Sequence, residues 1–358
     1  MGKKAAILLI TMVALMGLSG WYIVGGIQAF SRYQQSRIAI QEHCGGQPPV
    51  HICVQSPLEI FSAYYPYYVA TRSNLFTIRY SSSSPITLFI SASIEGFSQP
   101  ETHTVSATAN VQSISFRPLA IPQVLRQLTV DTNTWLQVKI TDATGRVYYA
   151  DDSPLLLHSR WLMQWIAANR LKIAAWVTPD DPAVIALDNK AKAHLQSVPP
   201  AMIGYANGQA SARAVKDQVD AIFDALRLDY RIQYSQESVP YNGPNDSNVA
   251  LQKIKLPWEV LLQRSGMCIE LTVLLASAVE RIGLHSEIVI IPGHAFLGVA
   301  TTQNNTQFEY WDPGQLSYNV AGDSANLWTD NEYTQYMKRI VDTIVISYAR
   351  HQGIGPML

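Results

Sequence analysis

Residues 256–283 read LPWEVLLQRSGMCIELTVLLASAVERIG, and residues 286–314 read SEIVIIPGHAFLGVATTQNNTQFEYWDPG. The run that follows Cys268 is too long and too evenly apolar for an ordinary strand and closes on Gly283, so it reads as a buried helix with a glycine cap. Cys268 stands at or just before the start of that helix, with Ser265 and Gly266 as the turn. Unpaired amide N–H groups and the positive end of the helix dipole favour a thiolate at such a position. Downstream the pattern predicts strands over 287–291, 294–300 and 308–311, the first two joined at Pro292 and Gly293. His294 opens the second strand and Asp312 follows the third, so antiparallel pairing makes them neighbours. A helix whose N-terminus packs on that sheet brings Cys268 to the other imidazole nitrogen, giving a nucleophile, a base and an orienting acid. Taken singly, a buried cysteine, a hydrogen-bonded strand histidine and an Asp-Pro turn are ordinary. Their order within 44 residues is not.

The succession G-x-C, a Leu/Ala-rich helix ending in glycine, a strand with G-H-A-F and an aromatic strand ending in W-D-P resembles the transglutaminase-like superfamily of papain-type cysteine enzymes. The resemblance covers about 180–320. It implies a transglutaminase-like (papain-like) α+β domain with Cys268 as nucleophile, His294 as general base and acid, and Asp312 as orienting carboxylate, and it calls for no cofactor and no metal. Prokaryotic members are often attached to membranes or to sandwich domains. This chain departs from the pattern at Met267 and Glu270, where the family often has Asp; both stand around the triad, as does Gly293. Glu309 is the alternative third member, but on a strand it faces away from Asp312. His285 is a weaker base candidate. The Cys268 N–H, Gln263 and Trp258 are candidate donors to an oxyanion, with a surface glutamine and a packed tryptophan as the plainer readings. Trp311 is expected to wall the cleft.

The rest of the chain is read against this segment. It has 358 residues, 48% hydrophobic and 15% charged, with 26 basic and 27 acidic side chains. This composition excludes a polybasic nucleic-acid binder, a collagen-like repeat and a disulfide-dense miniprotein. Residues 5–27 form an uncharged run of 23, which at about 1.5 Å per residue exceeds a roughly 30 Å hydrocarbon core. With Lys3 and Lys4 before it, 1–30 reads as an N-terminal transmembrane signal anchor, and the chain as a single-pass membrane protein with its bulk extracytoplasmic, periplasmic or at the cell surface. A cleaved signal peptide is the alternative. Residues 31–57 read as a tether carrying a disulfide candidate, Cys44 with Cys53. His43 and His51 flank the pair, but their spacing matches no usual zinc pattern.

Short Thr/Val/Ile/Tyr runs over 58–152 predict an antiparallel, immunoglobulin-like β-sandwich, with a hairpin where Leu136, Val138 and Ile140 precede a turn at Asp142. Tyr64, Tyr65, Tyr67 and Tyr68 form either a patch for a protein partner or packed aromatics. Residues 153–180 read as a linking helix, and 181–358 as the transglutaminase-like domain, with a helical stripe of Val215, Val219, Ile222, Phe223 and Leu226. The fold class expected is therefore α+β: a transmembrane helix, a sandwich and a transglutaminase-like domain. The function expected is a membrane-anchored cysteine acyl-transfer enzyme, a peptidase, amidase or transglutaminase, acting on protein or peptide amides through a thioester. A non-catalytic scaffold, with a degenerate transglutaminase-like module and a binding sandwich, is the alternative. No nucleic-acid partner is expected.

Overall fold

Alternation of inward and outward side chains begins well before residue 58. The computed structural model describes residues 39–195, 201–205, 211–326 and 332–357, and the elements below belong to the unit Ile40–Leu358. Strands β1 (Ile40–Gly45) and β2 (Val50–Pro57) pair antiparallel, with Cys44 directly opposite Cys53; the two are disulfide-bonded. Residues 40–57 are thus sandwich strands rather than part of a tether, because Val50, Ile52 and Val54 point into the core at period two. The remaining sandwich strands are β3 (Glu59–Phe61), β4 (Phe76–Ser82), β5 (Ile86–Ile94), β6 (Glu101–Ala107), β7 (Gln112–Phe116), β8 (Thr132–Thr141) and β9 (Val147–His158). They form two sheets, β1-β2-β4-β7 and β3-β9-β8-β5-β6, antiparallel except for the β3–β9 pair. Leu136, Val138 and Ile140 of β8 face inward, and Asp142 closes the β8–β9 hairpin by accepting the N–H groups of Thr144 and Arg146.

Residues 153–180 are not a linking helix. They contain the end of β9, strand β10 (Leu162–Trp165) and a 3-10 turn at Arg170–Trp176. A run such as SPLLLH is apolar enough for either state; here Ser153, Leu155 and Leu157 alternate into the sandwich. The tryptophans act as anchors: the Trp165 Nε1–H donates to Gln252 Oε1 at 2.8 Å and the Trp176 Nε1–H to the Ile254 carbonyl at 2.9 Å.

The second layer system starts at helix α1 (Pro182–Ala191), capped by Asp181, which accepts the Ala183 N–H. Helix α2 (Ala212–Ala225) buries the stripe Val215, Val219, Ile222 and Phe223, with Leu226 just beyond. Each such side chain contributes about 1.5–3 kcal/mol relative to exposure. Then come β11 (Gln233–Tyr234), β12 (Ala250–Lys253), α3 (Pro257–Gln263), β13 (Ser265–Gly266) and α4 (Cys268–Arg281). Residues 268–279 are all buried, so α4 is the central helix. It packs on a four-stranded antiparallel sheet, β16-β15-β14-β17, formed by β14 (Ser286–Ile291), β15 (His294–Ala300), β16 (Phe308–Trp311) and β17 (Asp342–Val345). Ile288, Ile290, Leu297 and Trp311 join the main core, whereas Val289, Ile291, Phe296 and Tyr310 form a second apolar cluster against Tyr333 and Tyr336 of α5 (Glu332–Met337).

The expected membrane span at 5–27 lies outside the described residues. Among those described, no helix is long and apolar enough to cross a membrane. The longest described helices, α2 and α4, have 14 residues each, about 21 Å of rise against a roughly 30 Å hydrocarbon core. The described residues form an α+β fold in which no helix could span a membrane, and the expectation of a transmembrane helix and a single-pass membrane protein is corrected to that extent.

Candidate active site

Helix α3 ends where Arg264 adopts a left-handed backbone, φ 54°. The chain then runs as β13 in parallel register with β11, Tyr234 beside Gly266, before entering α4. Gly266 is closely packed: a Cβ there would lie 3.1 Å from both Val260 Cγ1 and Leu271 Cδ2, which would have to give by a few tenths of an ångström. Cys268 is the first residue of α4 and its side chain has 0% exposure. Its Sγ lies 3.7 Å from the Glu237 carbonyl oxygen, on the segment that follows β11. Its N–H is one of the first four helical amides, which have no intrahelical acceptor.

Glu270 takes a structural place near this helix start. One carboxylate oxygen accepts the Met267 N–H at 3.1 Å and the other accepts the Lys255 N–H at 2.8 Å, with the Lys255 ammonium 3.4 Å away. Burial pushes its carboxyl up, and these donors and the Lys255 charge oppose that. Met267 is buried, and its sulfur receives the Gln252 amide at 3.2 Å. The two residues where an aspartate was expected therefore serve to close the helix N-terminus and fill the core.

His294 begins β15 directly after Gly293, whose φ of 78° makes the turn from β14. Its Nε2 lies 2.8 Å from Asp312 Oδ1. Cys268 also acts on the ring, through hydrogen bonding and charge. His294 is pulled up to about 10: burial pushes it down, but the hydrogen bonds and charges of Asp312 and Cys268 more than offset this. Asp312 is fixed on both oxygens. Oδ1 also accepts the Gly314 N–H at 2.7 Å, and Oδ2 accepts the Tyr336 hydroxyl at 3.2 Å. The Tyr336 ring stands 6.2 Å from the imidazole, centroid to centroid.

The other candidates are dispersed. Gln263 is exposed and accepts from the Lys255 ammonium at 3.3 Å. Trp258 is half-buried beside the Arg160 guanidinium, 5.8 Å from its ring centroid, and its Nε1–H has no partner among the described residues. Trp311 does not wall a cleft: it is fully buried, and its Nε1–H donates to Asp220 Oδ1 on α2 at 2.8 Å. Glu309 accepts from Asn326, away from His294, and His285 pairs with Asn305. In the sandwich, Tyr64 and Tyr65 are buried, their hydroxyls on Met163 Sδ and the Pro118 carbonyl. Among the described residues, no group of three or more His, Cys, Asp or Glu is arranged to hold a metal ion.

Tyr234 is the site residue that sequence reasoning missed. Burial raises its phenol, and so do the charges of Cys268 and Asp312 and a hydrogen bond to Cys268. A tyrosine on a two-residue strand carries no sequence signal; only the β11–β13 pairing brings it to the thiol.

Residues 214–338 match the family model described as the transglutaminase-like superfamily. This part of the chain is a transglutaminase-like domain. The match opens inside α2 and closes just after Tyr336, so the transglutaminase-like segment spans Tyr234, the whole of α4, His294 and Asp312. No curated protein matches the chain.

Proposed function

We propose that the transglutaminase-like domain is a cysteine acyl-transfer enzyme acting on an amide through Cys268, His294 and Asp312. The observation that carries this reading is His294, hydrogen-bonded to Asp312 and held up by both Asp312 and Cys268. His294 takes the Cys268 thiol proton, so the sulfur attacks as thiolate beside an imidazolium ready to act as general acid. The Sγ–carbonyl bond forms, electrons move onto the carbonyl oxygen, and the Cys268 N–H at the positive end of α4 receives the developing charge. The C–N bond then breaks, and the amine leaves with the His294 proton. The thioester is resolved by water, giving peptidase or amidase chemistry, or by an amine, giving transfer; His294 takes the incoming proton in either case. Protein and peptide amides are the substrate class.

A second reading, a non-catalytic module, is favoured by the 0% exposure of Cys268 beneath its neighbours. Two assays separate the readings. In the first, iodoacetamide alkylation of Cys268 is followed by mass spectrometry from pH 5 to 10, in the wild type and in His294→Ala. The second measures incorporation of a dansylated alkylamine into casein alongside release of casein peptides. Alkylation that depends on His294, together with either product lost in Cys268→Ala, supports the enzyme. A thiol that reacts no faster than in the unfolded chain, with neither product formed, refutes it.

A further inference from the structure

A strap of chain lies over the thiol. Cys268 is fully buried, yet the cover at its sulfur is one chain thick: the thiol donates to the Glu237 carbonyl at 3.7 Å, while Gln236, Glu237 and Ser238 are themselves exposed. The segment runs between the two turns that present the site. At one end the Ser235 N–H donates to the Gly266 carbonyl at 2.9 Å, two residues before Cys268; at the other the Val239 N–H donates to the Gly293 carbonyl at 3.2 Å, one residue before His294. The flanks are anchored, since Ile232, Val239 and Tyr241 are buried and the Tyr241 hydroxyl donates to Asp342 Oδ2 at 2.8 Å.

The middle of the strap is held less firmly than its ends. Among the described residues, two hydrogen bonds tie 236–238 to the rest of the molecule, from the thiol to the Glu237 carbonyl and from the Gln252 amide to the Ser238 carbonyl at 3.3 Å. A thiol is a weak donor. None of these three residues is buried, so the middle adds little apolar burial to hold it down. Segments of this kind open locally at small cost, without global unfolding. Firm ends and a loose middle describe a strap that lifts between fixed points. While it is down, the Glu237 peptide group occupies the position beside Sγ that a substrate carbonyl needs.

We propose, resting on the catalytic reading of Cys268 and His294 above, that residues 235–239 are a latch: it keeps the site closed at rest, and a peptide substrate reaches the thiol only when 236–238 lift. One equilibrium then governs every approach to Cys268. The rate of alkylation by a small reagent rises in proportion to the open fraction, and the KM for substrate falls by the same factor. The kcat stays unchanged, because bound substrate itself holds the strap open.

The test combines Gln236→Gly, Glu237→Gly and Ser238→Gly in the full chain. Glycine widens the freedom of the lifted strap more than that of the closed one, so the three together should raise the open fraction at least about tenfold. The expected result is Cys268 alkylation by iodoacetamide at least about tenfold faster than in the wild type, with the KM for casein in the dansylated alkylamine assay lower by the same factor and kcat unchanged. Alkylation no faster than in the wild type overturns the latch; if it still depends on His294 and product still forms, the enzyme reading stands without it. Faster alkylation with an unchanged KM also overturns the latch. Faster alkylation that ignores His294→Ala, with no product formed, overturns the latch and the enzyme reading together. Should the triple variant fail to fold by circular dichroism, Glu237→Gly alone decides by the same criteria, at about twofold.

Discussion

Glu259 offers the sharpest test of how the sandwich is joined to the transglutaminase-like domain. Its carboxylate, 4% exposed, receives the Arg160 guanidinium through two bonds of 2.8 Å, with Arg160 itself 1% exposed. It also accepts the Trp161 indole N–H at 2.9–3.0 Å and the Leu256 backbone N–H at 2.9 Å, while Arg160 Nε donates to the Arg126 carbonyl. Two unit charges about 4 Å apart attract by about 4 kcal/mol at an effective dielectric of 20. Removing one partner strands the other, at about 3–5 kcal/mol. Glu259→Leu should therefore cost about 4 kcal/mol plus roughly 1 kcal/mol for the orphaned Leu256 N–H, a large share of a domain's usual 5–15 kcal/mol. Adding Arg160→Met removes the stranded cation, so the double variant should recover about 2–3 kcal/mol of that loss. Urea unfolding of the wild type, both single variants and the double variant supplies the cycle, with m-values compared to check that the unfolded state is unchanged. A Glu259→Leu cost below about 1 kcal/mol, or a double variant no more stable than Glu259→Leu, would refute the argument that the buried pair holds this junction.

Three further outcomes are expected. Tyr336→Phe removes one hydrogen bond from Asp312 Oδ2 and should lower acyl-transfer kcat about tenfold with little change in KM, since a bond to a charged group is worth about 1.5–3 kcal/mol; an unchanged kcat rejects that positioning role. Glu287 is buried and pushed up to about 7 by desolvation, opposed by a hydrogen bond from Tyr310. Its folded value exceeds the unfolded one, so its stabilising contribution is full below about 4.5 and is lost as pH rises through about 7; thermal melts of Glu287→Gln should show a smaller decline from pH 5 to 8 than the wild type, and parallel curves would contradict this. Glu270→Ala orphans the Met267 and Lys255 N–H groups and should cost about 1–3 kcal/mol in urea unfolding, whereas Glu270→Gln, which keeps an acceptor, should cost less; equal costs would assign the effect to packing.

What could be read along the chain was what depends on neighbours in sequence. The helix that begins at Cys268 announced itself through an unbroken apolar run closed by Gly283, which adopts φ 83°, and the three strands after it fall within a residue of their predicted limits. Period-two alternation likewise located the β8–β9 hairpin. The errors came where local pattern is ambiguous. SPLLLH satisfies a strand or a buried helix, and the cysteine-bearing segment looked like a tether because its Gly/Pro turn hid the strands on either side. Trp311 was assigned to the cleft from its adjacency to Asp312, but successive strand residues face opposite sides, and Trp311 turns inward to Asp220.

The sequence by itself determined that a cysteine begins a buried helix, that a histidine opens one strand and an aspartate closes the next, and that the domain is transglutaminase-like, because cap chemistry, apolar runs and turn residues act within a few positions. Only the tertiary structure decided which groups surround them. Tyr234 reaches the thiol through a parallel pairing across some thirty residues, Tyr336 reaches Asp312 from a helix beyond the sheet, and Arg160 closes on Glu259 from the sandwich. Asp188 of α1 is buried without a hydrogen-bond partner among the described residues for the same reason. Such contacts are set by which buried surfaces meet when layers pack, and the local pattern around any one of these residues does not encode its distant neighbour.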